Sequence, residues 1–492
     1  MKKIRKVMSY KFSERGTAII TLLGLLITMI PLYRLSVYSI PYYDDYGAPA
    51  GTIAWSKQFG TSYLHSAIVH AYQMWYAWEG VYFDRVLMAL DPILWGEQYH
   101  FLGSVIIITS LLVSVFAFIY FICRKMLRGA KWDSLASAAI VSEITILFIY
   151  TAQQGFYWYS GGIKYVFGFS LWLITILTTI LTLISRKKAA NIIYGLISAI
   201  LIFFVSGTNF VTVLQSLIVS VSIFIMGYLW YKKRAFYLLP MLISNFYGAR
   251  LCLVAPGNAK RASAFHGMGA VEAILASFKT GFEFLGKFTD WRTLLLFLIA
   301  LPISYRIVRM SGIKFRVKNF LILALWSVCL YASGFTPNLY SSGDVVLSRV
   351  INTIKFVFQI LLWINMTYFL GLLSQIRTGG KRRWKGYVIW PLVIPWLAAW
   401  MFFFKIQPNP IGTYSAFGAN YYLKTGQAMF FYSEYEKRVE ALNGPDTDVI
   451  LEPYTNMPWF LGWNDISTDP DDEVNQFMAQ FYHKNSIRLR DS

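Results

Sequence analysis

Two adjacent carboxylates, Asp44 and Asp45, follow Pro41 in the stretch SIPYYDDYG, directly after the first long apolar run of a 492-residue chain. Carboxylates beside lipid are costly unless solvated, paired, metal-bound or functional. One could take the proton from an acceptor hydroxyl while its neighbour raises that base's pKa or holds a divalent cation, Mg2+ or Mn2+. The plain alternative is a solvated Asp-Asp turn. Five cations could answer such a base: Arg250, Lys260 and Arg261 in GARLCLVAPGNAKR, Arg349 in VVLSRV, and Lys164 in SGGIKY. At the edge of apolar segments they suit a lipid phosphate through forked or point-charge contacts, or else pair with Asp344, Glu272 or ordinary lipid headgroups. Lys164 could equally snorkel to the membrane surface.

Tyr43 precedes the acid pair, and AYQMWYAWEGVYFDRVLMAL sets Trp75, Trp78, Tyr82 and Phe83 at helical spacing beside Glu79, Asp84 and Arg85. This predicts an amphipathic helix lying on the membrane with its rings at the interface. The same rings beside a carboxylate could hold the apolar face of a sugar, which makes Tyr43, Trp75, Trp78, Glu79 and Tyr82 substrate-binding candidates, with Asn258 and Tyr340 from the later loops. His65, His70, His100, His266 and His483 show no HxxxH or HExxH spacing, so a zinc site is not expected. Cys123, Cys252 and Cys329 are widely spaced in or beside apolar segments and read as small buried hydrophobes. The acidic DPDDE run lacks the spaced ligands and glycine of an EF-hand loop.

These residues must be positioned by membrane helices. The chain is 56% hydrophobic and 14% charged, against roughly 25% charged in soluble domains. A spanning helix needs about 20 mainly apolar residues. Eleven segments qualify, at 17–38, 101–123, 134–152, 164–185, 190–207, 211–231, 236–254, 291–309, 319–336, 349–374 and 387–404. The net charge of +20 then acquires a side. Six short connections (1–16, 124–131, 186–188, 232–234, 306–318 and 376–385) hold 26 of the 45 Lys and Arg and one acid, Glu14, giving +25, and the rest of the chain is at −5. Basic loops stay in the cytoplasm. The expected architecture is therefore an all-α polytopic membrane protein with the N-terminus in and the C-terminus out. Its first outer loop, 39–100, carries interfacial helices, and residues 405–492 form a small exoplasmic α/β tail after a membrane domain at 1–404. The tail is expected to contain a helix at 421–443. The cytoplasmic loops are too short for a nucleotide-binding domain, and no phosphate-loop or dinucleotide motif occurs. Nucleic-acid binding is excluded on the same composition.

An acidic pair in a long first outer loop (YDDY), surface helices with WxxWEGVYF, and many spans together resemble the GT-C superfamily of membrane glycosyltransferases. FYWYSGGIKY, NFYGARLCLVAPGNAKR, TPNLYSSGDVVLSRVINTIKF and NYYLKTGQAMFFYSEYEKRVE resemble segments of bacterial members related to phage-type O-antigen glucosyltransferases. Val81 follows the glycine where that family often has a basic residue. The resemblance implies a donor sugar on a polyprenyl phosphate such as undecaprenyl phosphate. It also implies inverting transfer to a cell-surface glycan at the outer face of the bacterial cell membrane. In that reading Asp44 is the base, Asp45 its support or metal partner, and Arg261 and Arg349, helped by Arg250 and Lys260, hold the donor phosphate. A polymerase or ligase of lipid-linked glycans and a non-enzymatic glycolipid flippase are the competing expectations.

Overall fold

The computed structural model describes residues 11–263, 265–289, 291–344, 347–376, 387–388 and 414–490. Helices occupy ten of the eleven expected spans; the eleventh, 387–404, lies almost wholly outside the described residues. Seven helical stretches are long and apolar enough to cross a membrane, and one of them, Phe210–Leu253, is two helices joined by a tight turn at Lys232–Leu238. The chain is a multi-pass, all-α membrane protein.

Helix α1 (Glu14–Ser36) starts at an N-cap, Ser13, whose hydroxyl accepts the Gly16 amide at 3.0 Å. Three helices fill the first outer loop: α2 (Asp44–Phe59), α3 (Tyr63–Ala77) and α4 (Phe83–Met88). Helix α5 (Phe101–Phe121) follows, then α6 (Lys131–Leu147), which is only 17 residues long and buried along nearly its whole length. At 1.5 Å per residue it is about 26 Å long, enough to line the centre of a bundle. Thr28 of α1 donates to the buried Glu143 of α6 at 3.0 Å, which gives that intramembrane acid a helix-to-helix role. Helix α7 is continuous over Tyr159–Ile184, and Gln153–Tyr157 before it is also helical. The connection 153–163 between the third and fourth expected spans is thus a folded, buried plug, because its aromatic residues Phe156, Tyr157, Trp158 and Tyr159 have apolar surface to hide.

The later helices are α8 (Lys188–Ser206), α9 (Phe210–Tyr231), α10 (Leu239–Leu253), α11 (Pro256–Ser263), α12 (Ala270–Phe288), α13 (Trp291–Met310), α14 (Val317–Ser333), α15 (Thr336–Ser342) and α16 (Ser348–Ile376). Arg306, near the end of α13, pairs with Glu14 at the start of α1 and, at 3.0 Å, with Asp133 at the start of α6. Two of the basic segments and the helix start just after a third therefore meet at one end of the bundle. Asp45, Trp158 and Arg349 gather at the other end, where the Trp158 indole donates to the Tyr42 carbonyl at 3.0 Å.

In the tail, the expected single helix is two, α17 (Ser415–Lys424) and α18 (Gln427–Leu442), broken at Gly426 with φ +73°. Glycine alone adopts that conformation without strain. Strands β1 (Asp448–Leu451) and β2 (Ser486–Leu489) pair in parallel around α19 (Glu473–Tyr482).

The WEGVYF segment is not one amphipathic helix either. Helix α3 ends at Ala77, and a Cβ on Gly80 would lie 1.8 Å from the Cys252 carbonyl oxygen of α10. The glycine permits a backbone contact that breaks the helix and turns Glu79 inward. Gly80→Ala should cost about 1–3 kcal/mol, the usual penalty of overpacking, read as a lower Tm in detergent. Gly286→Ala, where an added Cβ meets nothing within 4 Å, should leave Tm unchanged.

Candidate functional site

The two neighbouring aspartates occupy different environments. Tyr43, with φ 50° and ψ −113°, makes a strained turn just before α2 and places both acids in its first turn, where backbone N–H groups favour negative charge. Asp45 is fully buried. Its Oδ1 accepts the Ser160 amide at 2.9 Å and the Ser160 hydroxyl, and its Oδ2 accepts the Tyr42 amide at 3.1 Å. Burial, then the Asp91 carboxylate, raise its carboxyl well above the usual range, against His100 and Ser160. Asp44 is half-buried and makes no hydrogen bond or ion pair among the described residues.

Below the pair, His100 bridges two acids: its Nδ1 lies 3.1 Å from Asp91 and its Nε2 3.9 Å from Asp45. The donor atoms of Asp45, Asp91 and His100 are within 4.8 Å of one another. Asp45 already accepts from the Ser160 and Tyr42 amides, whereas the buried Asp91 Oδ2 has no hydrogen-bond partner among the described residues, so the trio offers a divalent cation such as Mg2+ or Mn2+ one open carboxylate oxygen. The arrangement is a buried Asp-His-Asp bridge that fixes the floor of the turn.

A larger ionic cluster stands beside it. Glu79 is 1% exposed and receives Arg85 and Arg261, with Lys164 at 2.5 Å. Lys164 also reaches Asp84 at 2.8 Å. Three cations therefore meet two carboxylates in a buried pocket. Burial opposes ionisation of Glu79, yet Lys164, Arg85 and Arg261 together hold it well below the ordinary carboxylate range. Asp84, with fewer cations, is raised by burial. Burial disfavours the charge on Arg85 too, but Glu79, Asp84 and the nearby Asp44 more than restore it, so the cluster and the free aspartate share one electrostatic field.

The cation set expected from the sequence divides. Lys164 and Arg261 converge on Glu79, and Lys164 turns inward instead of snorkelling. Arg261 keeps about a third of its side chain exposed and lies over the Trp78 ring at 5.7 Å. Arg349 is half-buried, with its guanidinium over Trp158 at 5.1 Å and its amide donating to Gln154 at 3.1 Å. Arg250 and Lys260 are exposed and make no contact with either group.

Most of the expected sugar-binding residues also make contacts that hold the fold. The indole of Trp75 donates to the Leu251 carbonyl at 3.0 Å, and Tyr82 donates to the Phe203 carbonyl at 2.6 Å. Asn258 accepts the Gly80 amide at 2.9 Å and donates to the Cys252 carbonyl at 2.7 Å, docking α11 onto the break after α3. Glu79 is saturated by its three cations and has no surface to offer a ligand. Tyr340 is 58% exposed on α15 and joins neither group. Tyr43 and the exposed Trp78 remain at the rim.

The chain matches no protein-family model, no curated protein and no solved structure. The geometry therefore carries the functional argument. It adds residues that spacing did not reveal: Trp158, Ser160, Asp91, His100 and, from the tail, Trp463, whose ring lies 5.5 Å from that of Tyr43 and nearly parallel to it. Only the aromatic density of FYWYSGG and WFLGW hinted at this wall.

Removing the charge of Glu79 while keeping its shape isolates the cluster's contribution. Glu79→Gln leaves the buried Arg85 and Lys164 and the partly exposed Arg261 facing a neutral amide and should cost about 3–5 kcal/mol, as for other broken buried pairs. Because the native carboxyl is held low, its stabilisation is complete above about pH 4.5 and is lost only as pH falls through the depressed value. A thermal-melt series at neutral pH would show the variant well below the parent.

Proposed function

We propose that the chain is an inverting glycosyltransferase of the GT-C type that moves a sugar from a polyprenyl-phosphate donor to a cell-surface glycan at the outer face of the bacterial cytoplasmic membrane. The supporting observation is the contrast within one dipeptide: Asp45 is buried and hydrogen-bonded, whereas Asp44 is half-buried, has no side-chain hydrogen bond or ion pair among the described residues, and stands at a helix N-terminus beside a net-positive cluster. A carboxylate that feels the Arg85 charge, at the bundle end opposite the basic segments, suits transfer from a lipid phosphate.

In this mechanism Asp44 accepts the proton of the acceptor hydroxyl as its oxygen attacks the anomeric carbon. The bond from that carbon to the phosphate oxygen breaks, and the phosphate leaves with the electron pair. Arg349 and the exposed part of Arg261 neutralise the leaving phosphate, while Lys164 and Arg85 keep the field positive from beneath. Asp45 fixes the turn and takes no part in proton transfer. The energy arrives with the donor, in keeping with the absence of a nucleotide-binding motif. The charge bias of the loops supports an inward N-terminus and an outward tail, and the Thr28–Glu143 hydrogen bond favours transfer over transport by giving the intramembrane acid a packing role.

Asp44→Asn should retain the parent's Tm and lose transfer by at least a hundredfold, within the range of a lost general base. Arg349→Ala should raise the apparent KM for lipid donor about tenfold, the scale of one charge-assisted contact. Both are read with purified protein and synthetic undecaprenyl-phosphate sugars; full activity of the Asp44 variant would remove the base, and an unchanged KM would remove the phosphate contact.

A further inference from the structure

The tail is bound to the residues that precede Asp44. Tyr42 donates its hydroxyl to the Asn464 carbonyl and lies 3.2 Å from the Met457 sulfur. Trp463 packs against three rings of the site at once: Tyr42 at 4.5 Å, Tyr43 at 5.5 Å and Trp158 at 5.3 Å. Gln153, beside the same wall, donates to the carbonyls of Trp459 at 2.5 Å and Gly462 at 2.8 Å. A Cβ on Gly462 would meet Met457 Sδ at 2.5 Å and the Tyr42 hydroxyl at 3.2 Å, so the loop lies close against this residue and the site.

The loop is itself held from behind. Arg438 of α18 forks onto Asp465 at 2.7 and 2.6 Å and lies over the Tyr454 ring at 3.5 Å. Asp465 also accepts the Tyr454 amide at 2.9 Å and the Ile466 amide at 2.8 Å. On the far side of α2, Phe477 of α19 packs onto Gly47, where a Cβ would lie 2.9 Å from the ring. The strained Tyr43 turn thus sits between tail contacts on both sides. A non-glycine residue with positive φ is strained and persists only where its surroundings impose it.

We propose that the tail is a working part of the active centre: Trp463, backed by the Arg438–Asp465 fork, is a positioning residue that holds the Tyr42–Tyr43 turn in its strained form and so aims the Asp44 carboxylate. This rests on the transferase reading, but the strain and its restraint stand without it. The tail is then not a separable cap. Its detachment or loosening would release Asp44 while leaving the Glu79 cluster and the bundle in place.

The test compares full-length protein with Trp463→Ala, Trp463→Phe and Asp465→Asn by two readouts. The first is transfer kinetics with synthetic undecaprenyl-phosphate sugars. Trp463→Ala should lower kcat at least tenfold with KM for donor within twofold, and Trp463→Phe should recover most of kcat. The second is amide hydrogen exchange read by mass spectrometry, which needs no substrate. Peptides over 42–48 should exchange at least tenfold faster in Trp463→Ala and Asp465→Asn, with α6 and α16 unchanged. Faster exchange at 42–48 in the variants, with a parent that transfers no sugar, supports the positioning role and removes the transferase reading. Unchanged exchange at 42–48 overturns the positioning role, whatever the activity, and so does a uniform rise across the whole chain.

Discussion

A carboxylate taken out of water must find positive charge, and Glu79 finds three cations from three parts of the chain. Arg85 comes from the helix just after it, Lys164 from the head of a membrane helix and Arg261 from α11. None of these charges could be buried alone, since an unpaired ion inside a low-dielectric bundle costs several kcal/mol. Each therefore fixes the others, and with them the break after α3, the inward turn of α7 and the docking of α11. The positive field that results is available at the neighbouring Asp44 because the cluster carries one more cation than anion.

The architecture was readable because apolar runs and basic connections are long-range averages over many residues, which survive errors at any one position. Ten helices stand where hydropathy places spans. The breaks were less legible. Gly80 reads as a tolerated glycine within a helical pattern until Cys252 is seen against it, and Gly426 divides a segment whose composition is helical throughout. Both are dictated by tertiary contact or by a single φ angle, and neither leaves a periodic trace.

The site was half legible for the same reason. Asp44, Asp45, Lys164, Arg261 and Arg349 stood out because charge at a membrane edge is costly and so carries information. Their roles depended on partners. Asp45 differs from Asp44 only through Ser160, Tyr42 and His100, and Glu79 changes from a ligand contact to an organiser only once its three cations are counted. Trp463 lies over 400 residues from Tyr43 in sequence, and nothing local links the two. Arg250 and Lys260 show the converse: cations equally conspicuous in sequence stand exposed and apart from the cluster.

The central claim is a bond exchange at the outer membrane surface, and the most direct measurement follows both products. Proteoliposomes holding the protein are given an undecaprenyl-phosphate hexose of defined anomeric configuration together with a glycan acceptor. Released undecaprenyl phosphate and glycosylated acceptor are quantified, and the new linkage is read by NMR. The account predicts equimolar release and transfer with inversion at the anomeric carbon. Intact donor appearing in the opposite leaflet with no new glycosidic bond, or transfer with retention, would contradict it.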